Sequence, residues 1–405
     1  MANIKPEQLD FLRWEFGVFF HFGIRTFYEG HADWDGVPMS PDAFDPKELD
    51  CDEWLQTARD AGARYAVLVC KHHDGFANWP SAYTDYSVQH TPWRGGKGDV
   101  VREFTDACRR YGLKIGLYYS PAQFGSAQTD ARNYDDYFIA QITELLTQYG
   151  TIDYLWFDGC GSEGHSYDTQ RIVRAIRALQ PRILLFNMWD PDTRWVGNEA
   201  GVAPSPNPLT VSALDVSVRT EQKDEMETAR FLPAECDCRM RDTSWFFSEN
   251  DADTVKTLDE LMGLYYYAVG RGANLLLNVS PDRRGRLPER DRKALLDFGA
   301  CVKRCFSSPL PCAQLQDGTV LTLTLDTQLV NHLVLSETIT PDSEIAAFEI
   351  RAYPHPYGAP ITVFRGTTVG HKAICPFPAI RTGKLELLFD KPKPVAAAAF
   401  YVPRF

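Results

Sequence analysis

The feature that most constrains the fold is a short apolar run that stops at a carboxylate, Tyr154-Leu155-Trp156-Phe157-Asp158-Gly159. A run that is apolar at every position predicts a strand buried on both faces, as in a parallel sheet. A charge at the end of such a strand is costly unless it is paired or used. For one strand the simplest interpretation is a helix cap, but polar residues follow strand after strand along this chain.

Apolar runs of this kind alternate with segments of helical periodicity. The predicted strands are Phe16–Phe22, Tyr65–Cys70, Lys114–Tyr119, Asp153–Phe157, Ile183–Phe186, Arg230–Ala234 and Asn274–Val279. Glycines such as Gly112 and Gly150 end the helical segments just before the next strand. The first strand lacks the glycine-rich turn that follows the first strand of dinucleotide-binding sheets. We therefore predict a (β/α)8-type barrel, irregular between Glu199 and Leu232, where the helix signal is poor.

The pattern changes near Ser307-Ser308-Pro309-Leu310-Pro311, and no long helical stretch follows. Short alternating or β-branched runs separated by turn residues replace the helices, which predicts a small β-sandwich of roughly 95 residues. The predicted domains are a catalytic barrel over residues 1–308 and a C-terminal β-sandwich over residues 309–405.

Composition excludes several classes of protein. The net charge is −12 and no stripe of Lys or Arg is present, which argues against nucleic-acid binding. The segment Met1–Glu7 lacks the apolar core of a signal peptide, and no apolar run is long enough to span a bilayer. We therefore expect a cytoplasmic protein without a membrane partner. The ten cysteines lack zinc-site spacing and are expected to be free thiols.

Polar residues stand at the predicted C-terminal ends of the strands, where a parallel barrel carries its chemistry. In chain order they are His21, Lys71-His72-His73-Asp74, Tyr119-Ser120, Asp158, Asn187, Glu235 and Asn278. A metal hydrolase would use the histidines together with Asp158, but their spacing fits no helical zinc motif. Adjacent histidines on a strand also point to opposite sides, unless the chain has already left the sheet.

Two other chemistries compete for this set. A serine hydrolase needs a nucleophile elbow, and the sequence contains no G-x-S-x-G. A glycosidase needs one ionised and one protonated carboxyl across the scissile bond, and Asp158 is the natural first member. Tryptophans near polar or glycine-rich segments favour a sugar pocket, although any single one is as well explained by core packing. They are Trp34, Trp79, Trp156, Trp189, Trp195 and Trp245.

Four segments are recognisable together. They are Phe16–Gly23, Lys71–Phe76, Leu155–Gly159 and Gly270–Val279. As a set and in this order they resemble the α-L-fucosidases of glycoside hydrolase family 29, and the tail looks like the C-terminal β-sandwich of that family. The resemblance implies a retaining reaction that needs no metal and no organic cofactor, with Asp158 as the nucleophile. It implies the following substrate-binding residues: His21, Asp33, Trp34, His72, His73, Tyr119, Trp156 and Trp245.

Two glutamates compete for the role of acid/base. The segment Trp195–Gly201 is similar to the branch of the family that acts on α-1,3/1,4-linked fucose of Lewis-type glycans, where the glutamate matching Glu199 has this role. Glu235 also matches a family motif and is the second candidate. We prefer Glu199, because a loop flanked by glycines can reach over the pocket.

Two segments depart from the family pattern. Asp33-Trp34-Asp35-Gly36 stands where Glu-Trp-Gly is usual, and Ser120-Pro121-Ala122-Gln123 replaces Ser-Pro-Trp-Asp. Linkage preference is therefore not predicted from these segments. The predicted function, which follows from the resemblance, is a retaining exo-α-L-fucosidase that removes terminal α-L-fucose, in α-1,3/1,4 linkage, from oligosaccharides or glycoconjugates. Two alternatives stay open: a non-catalytic fucose-binding or glycan-binding protein, and a glycosidase for a related sugar such as α-L-galactose.

Overall fold

The larger part of the protein is a parallel barrel. The computed structural model describes residues 4–29, 39–122, 131–162, 164–218, 223–340, 344–355 and 358–403, with the backbone only for 131–133. The first ten strands are β1 (Phe16–Phe20), β2 (Tyr65–Lys71), β3 (Lys114–Tyr119), β4 (Tyr154–Phe157), β5 (Leu184–Phe186), β6 (Arg194–Trp195), β7 (Thr210–Asp215), β8 (Lys223–Phe231), β9 (Ala234–Arg239) and β10 (Asn274–Asn278). Eight of them form one sheet in the order β5-β4-β3-β2-β1-β10-β9-β6, and every pair in it is parallel.

The barrel closes at a thin seam between β5 and β6. A single parallel bridge between Phe186 and Thr193 joins the two ends of the sheet. Both seam strands are short, since β5 has three residues and β6 has two. The eight strands therefore confirm the predicted barrel, with closure weakest at one position.

Helices cover most of the outer face. They are α1 (Pro6–Leu12), α2 (Cys51–Asp60), α3 (Val100–Tyr111), α4 (Ala131–Gln148), α5 (Thr169–Leu179), α6 (Leu258–Tyr267) and α7 (Glu289–Phe306). Between β5 and β9 the described residues contain no helix, and the antiparallel hairpin of β7 and β8 stands there instead. This is the stretch for which the sequence predicted an irregular barrel.

Aromatic rings fill the lower half of the barrel interior. Phe11 and Trp14, at the end of α1 and just after it, pack edge-on or tilted against Tyr65 and Tyr154. Gly17 allows this packing, because a Cβ at that position would overlap the ring of Tyr65. These rings close the N-terminal end of the barrel.

The C-terminal part is an antiparallel sheet of six strands. They are β11 (Cys312–Asp317), β12 (Val320–Glu337), β13 (Phe348–Ala352), β14 (Ile361–Gly366), β15 (Ala373–Phe389) and β16 (Val395–Phe400). The long strands β12 and β15 shift register twice along their pairing, and the sheet encloses a separate apolar core. It contacts the barrel part through Tyr266, whose hydroxyl lies 2.9 Å from Nε2 of His332.

All ten cysteines are free, and eight of them are buried, which confirms the expectation of free thiols. Of the helices that the structure describes, none combines the length and the apolar character needed to cross a bilayer.

Candidate active site

A pocket of about 270 Å³ opens at the C-terminal ends of the barrel strands. Residues at the ends of β1 to β4 form one side of it, and β9 together with the segment after β6 forms the other. This is the face on which parallel barrels place their chemistry. Five of the eleven predicted strand-end residues line it, namely His21, His72, His73, Asp158 and Asn187.

Asp158 follows β4 and lies at the centre of one wall. Its Oδ2 accepts a hydrogen bond of 2.8 Å from the hydroxyl of Tyr118, and its Oδ1 accepts one of 2.9 Å from the backbone N–H of Cys160. Nε2 of His73 lies 3.4 Å from Oδ2. Burial alone would raise the pKa of Asp158, but His73 and these hydrogen bonds outweigh it and hold the pKa below its usual value. Asp158 is thus kept as a carboxylate.

The hydrogen bonds around His73 define where its protons lie. Ser120 Oγ donates to the carbonyl oxygen of Ala122 at 3.0 Å, because a carbonyl can only accept. With its single proton used, Ser120 Oγ accepts from Nδ1–H of His73. Nε2 of His73 attracts the carboxylate of Asp158 only if it also carries a proton. With Nδ1 directed at Ser120, Nε2 is the ring atom of His73 that faces the carboxylate of Asp158.

The imidazoles of His21 and His72 are neutral, because burial lowers the pKa of each. Burial lowers the pKa of His21 to about 3, and its Nδ1 lies 2.8 Å from Oδ1 of Asn278. Burial, together with the nearby His73, lowers the pKa of His72 well below its usual value. Nδ1 of His72 is buried without a hydrogen-bond partner among the described residues. Two neutral imidazoles beside a carboxylate can bind several sugar hydroxyls, as donors or as acceptors.

Strand β2 ends at Lys71, so both histidines that follow have left the sheet and line the pocket together. Lys71 itself lies behind them. Its buried Nζ donates to the carbonyl oxygens of Ser120 at 2.9 Å and Ala122 at 3.1 Å, and burial lowers its pKa to about 7. Lys71 therefore fixes the turn that carries the hydroxyl partner of His73.

Strand β9 points alternate side chains into the barrel at three levels. Glu235 is fully buried beneath the pocket, Asp237 lies at its floor with 4% exposure, and Arg239 lies at its mouth. Each level carries one tryptophan, in the order Trp156, Trp195 and Trp245. This layering decides between the two predicted glutamates.

The structure does not bring Glu235, the second candidate acid/base, into the pocket, because its carboxyl lies beneath the floor. Its Oε2 accepts from Tyr65 at 2.6 Å, and its Oε1 accepts from Trp156 Nε1 at 2.8 Å and from Tyr154 at 3.2 Å. Burial raises the pKa of Glu235 to about 7. Glu235 instead anchors the indole ring of Trp156, which lines the pocket.

Glu199 lines the pocket, as the sequence predicted. It stands in a loop between Gly197 and Gly201, which have φ angles of 86° and 72°. A Cβ on Gly197 would lie 2.8 Å from Cγ of Asp215, and one on Gly201 would lie 2.7 Å from Sγ of Cys238. Both glycines are therefore required by backbone conformation and by close packing.

Sequence reasoning missed Asp237 as a third carboxyl of the pocket. Its Oδ1 accepts a hydrogen bond of 2.6 Å from Nε1 of Trp195. Burial, with smaller contributions from the charges of Glu199 and Glu235, raises its pKa well above the usual value. Asp237 is thus a pocket-facing carboxyl that keeps its proton to higher pH than an ordinary aspartate does. The sequence Glu235-Cys236-Asp237-Cys238 could have indicated Asp237, because residues two apart on a strand share a face.

The structure also does not bring Tyr119, a predicted substrate-binding residue, into the pocket. Its side chain points to the outer layer, where its hydroxyl donates to Oε1 of Gln141 at 2.7 Å. The pocket residue is Tyr118, whose ring stacks on both His72 and Trp156. Adjacent strand residues face opposite sides, so the prediction missed by one position.

Three of the six highlighted tryptophans, Trp156, Trp195 and Trp245, line the pocket. Trp79 lies in the core and donates to Oε2 of Glu144 at 2.9 Å, and Trp189 packs against Phe157 and Tyr167. The predicted substrate-binding residues Asp33 and Trp34, and the departure at Gln123, lie outside the described residues.

His72, His73 and Asp158 are the residues that a cation would use, since their ligand atoms all lie within 4.8 Å of one another. Both oxygens of Asp158 already accept hydrogen bonds, and one of them faces His73. A cation would displace these contacts. That the reaction needs no metal ion stays a prediction.

A carboxylate kept ionised, further carboxyls across a compact pocket, neutral imidazoles and three indole rings are the equipment of a glycoside hydrolase barrel. Comparison with known proteins agrees. Residues 38–305 match the family model described as α-L-fucosidase. The chain is 33% identical to α-L-fucosidase 1 of Arabidopsis thaliana, over 94% of this chain and 83% of that protein.

A solved structure of a glycoside hydrolase 29 family member from an unknown rumen bacterium has the same fold. The TM-score is 0.89 at 29% identity, and the match covers 100% of this chain and 78% of that one. The chain belongs to the α-L-fucosidase family, and the protein is a glycoside hydrolase.

Proposed function

We propose that the protein is a retaining exo-α-L-fucosidase that removes terminal α-1,3/1,4-linked L-fucose from oligosaccharides or glycoconjugates. The observation that carries the proposal is the state of Asp158, which His73, Tyr118 and the N–H of Cys160 hold as a carboxylate inside the pocket. A nucleophile must be ionised before it meets the anomeric carbon.

The reaction then proceeds in two displacements. Asp158 attacks the anomeric carbon and forms a covalent fucosyl ester, while Glu199 gives its proton to the glycosidic oxygen of the leaving group. Glu199, now a carboxylate, takes a proton from water, and that water releases fucose with its original configuration. His21 and His72 bind sugar hydroxyls, and Trp156 and Trp245 provide apolar walls for the ring.

Glu199 is preferred to Asp237 as the acid/base because it is the more accessible of the two carboxyls. Asp237 is 4% exposed, and one of its oxygens is occupied by Trp195. Glu199 is half-buried in a loop at the rim, where it can follow the leaving oxygen. The role that remains for Asp237 is to donate its proton to a hydroxyl of the bound sugar.

An azide experiment tests both roles at once. On an aryl α-L-fucoside, Asp158→Gly loses about 10³-fold or more of kcat, and azide restores turnover by direct attack, which gives the β-L-fucosyl azide. Glu199→Gln forms the ester but cannot activate water, so azide attacks the ester and gives the α-L-fucosyl azide. Asp237→Asn is the comparison variant. Rescue of Asp237→Asn in place of Glu199→Gln would exchange the two roles, and near-native activity of Asp158→Gly would overturn the mechanism.

The linkage rests on the similarity of the Trp195–Gly201 segment to enzymes that act on Lewis-type glycans. A panel of fucosylated oligosaccharides with α-1,2, α-1,3, α-1,4 and α-1,6 linkages, read as released fucose, tests it. We expect the α-1,3 and α-1,4 members to be hydrolysed with the highest kcat/KM. Faster release from the α-1,2 or α-1,6 member would overturn the linkage proposal and leave the fucosidase activity standing.

A further inference from the structure

Among the described residues, Arg239 is a guanidinium without a carboxylate partner, in a pocket to which three carboxyls contribute. It is the one Lys or Arg among the described residues that line the pocket. Its Cζ lies 5.5 Å from the ring centroid of Trp245, and its Nη1 donates to the carbonyl oxygen of Thr243 at 3.2 Å. Within the part of the chain that the structure describes, no carboxylate lies within ion-pair distance of it.

The contrast with Arg241, two residues further along the chain, shows what a structural arginine looks like here. Arg241 donates through Nε and Nη2 to Asp291 and through Nη1 to Asp251, and both carboxylates are almost fully buried. Arg239 donates one hydrogen bond, to Thr243, so most of its donors are unused by the residues that the structure describes, while its guanidinium lies over the indole ring of Trp245. A guanidinium fixed in this way is arranged to meet an anion from outside.

The register places Arg239 beside the proposed acid/base. Ala200 forms an antiparallel bridge with Cys238, and the N–H of Gly201 donates to the carbonyl oxygen of Asp237 at 3.1 Å. This register sets Glu199 directly opposite Arg239, and both side chains line the pocket. The group that Glu199 protonates is the oxygen of the leaving sugar, so Arg239 faces that sugar and not only the fucose.

We propose that Arg239 determines specificity on the leaving-group side by binding an anionic substituent, a sulfate ester or a carboxylate, on the oligosaccharide that carries the fucose. The proposal rests on the proposed fucosidase function and adds the class of leaving group to it. Without Arg239, the carboxylate of Asp158 would make the pocket repel an anion. With it, a bidentate pair forms on the acidic substituent.

The test compares Lewis a trisaccharide with its sulfated and sialylated forms. In the wild type, at least one acidic form has a higher kcat/KM than the neutral trisaccharide. Arg239→Gln lowers the ratio of acidic to neutral kcat/KM by about tenfold or more, chiefly through KM, because a charge-assisted hydrogen-bond pair is lost. The sulfated and sialylated arms distinguish the two anions.

The matched control is Lys223→Gln. It removes the same charge from the hairpin beside the pocket mouth, but Lys223 is already paired with Asp215 at 3.1 Å, so the ratio stays within about twofold. Arg239→Lys keeps the charge and serves if the glutamine variant does not fold; it lowers the ratio less, since a lysine cannot bind bidentately. No acidic preference in the wild type, or a preference kept by both Arg239 variants, overturns the inference while aryl-fucoside hydrolysis still supports the function. A wild type that cleaves no fucoside overturns both.

Discussion

The indole N–H of Trp156 donates a hydrogen bond of 2.8 Å to Oε1 of Glu235, so a pocket wall is held from beneath by a carboxyl that substrate cannot reach. Trp156 is two residues before Asp158 on the same side of β4, and its ring stacks on Tyr118. Glu235 is therefore a positioning residue for the walls around the nucleophile.

Replacing Glu235 separates this positioning role from acid catalysis. Glu235→Met leaves the N–H of Trp156 and the hydroxyls of Tyr65 and Tyr154 without their acceptor, so we expect a loss of about 2–3 kcal/mol in the free energy of unfolding and a marked fall in kcat. Glu235→Gln keeps an oxygen for Trp156 and retains much more activity. Azide rescues neither variant. If glutamine were as inactive as methionine and azide rescued it, Glu235 would be the acid/base after all.

The raised pKa of Glu235 predicts a pH dependence of stability. Between its ordinary value of 4.5 and about 7, the folded protein keeps a proton that the unfolded chain has lost. The folded state therefore loses stability as pH rises through this range, by about 3 kcal/mol from this group. Denaturant unfolding of the wild type and of Glu235→Gln from pH 4.5 to 7.5 measures it. The free energy of unfolding of the wild type should fall relative to that of Glu235→Gln as pH rises. Parallel pH profiles for the two proteins would contradict the raised pKa of Glu235.

Ser120 is expected to act through His73. Ser120→Ala removes the acceptor for Nδ1–H and frees the imidazole from its fixed orientation. The pKa of Asp158, which His73 holds down, then rises, so the acid limb of the kcat/KM profile shifts to higher pH. Ser87→Ala is the matched control, because Ser87 is fully buried and contacts His90 Nδ1 at 3.3 Å away from the pocket. A shift in both variants, or in neither, would contradict the proton assignment.

Tyr118 and Tyr119 form a natural pair of opposite roles. Tyr118→Phe removes a donor from Asp158, and we expect kcat/KM to fall about ten- to hundredfold with an upward shift of the acid limb. Tyr119→Phe leaves Gln141 without its donor and costs about 1–2 kcal/mol of stability with kcat/KM unchanged. Aryl-fucoside kinetics and thermal unfolding of both variants check this. Equal losses of kcat/KM in the two variants would contradict the assignment of Tyr118 to the pocket and Tyr119 to the outer layer.

The same pair shows what the sequence can and cannot predict. The run Lys114–Tyr119 was predicted with its observed bounds, because every position is compatible with a strand and Gly112 ends the preceding helix. Side chains on a barrel strand alternate between the interior and the outer layer. Which of two adjacent tyrosines faces the pocket depends on where this alternation starts. In a strand apolar on both faces, the sequence carries no signal for that choice.

Glu235 was misplaced for a related reason. The predicted strand Arg230–Ala234 made Glu235 a strand-end residue, whereas β9 begins at Ala234 and makes it a strand-start residue. The apolar residues Phe231 and Leu232 belong to the end of the hairpin, where β8 stops before the chain turns at Pro233. The predicted strand therefore began four residues before the observed start of β9. A carboxyl at the C-terminal end of a barrel strand lies where substrate binds, whereas a carboxyl at the N-terminal end packs against the aromatic rings that close the barrel.

The thin seam between β5 and β6 has a consequence for how such an enzyme changes. The segment that carries the proposed proton donor follows β6, a strand of two residues. The nucleophile follows β4, which is paired with a neighbouring strand on each side. Apart from Gly197 and Gly201, whose conformation and packing are fixed, substitutions near Trp195–Gly201 disturb few hydrogen bonds between strands. The half of the machinery that meets the departing sugar is therefore free to diversify, and the half that makes the covalent bond is not.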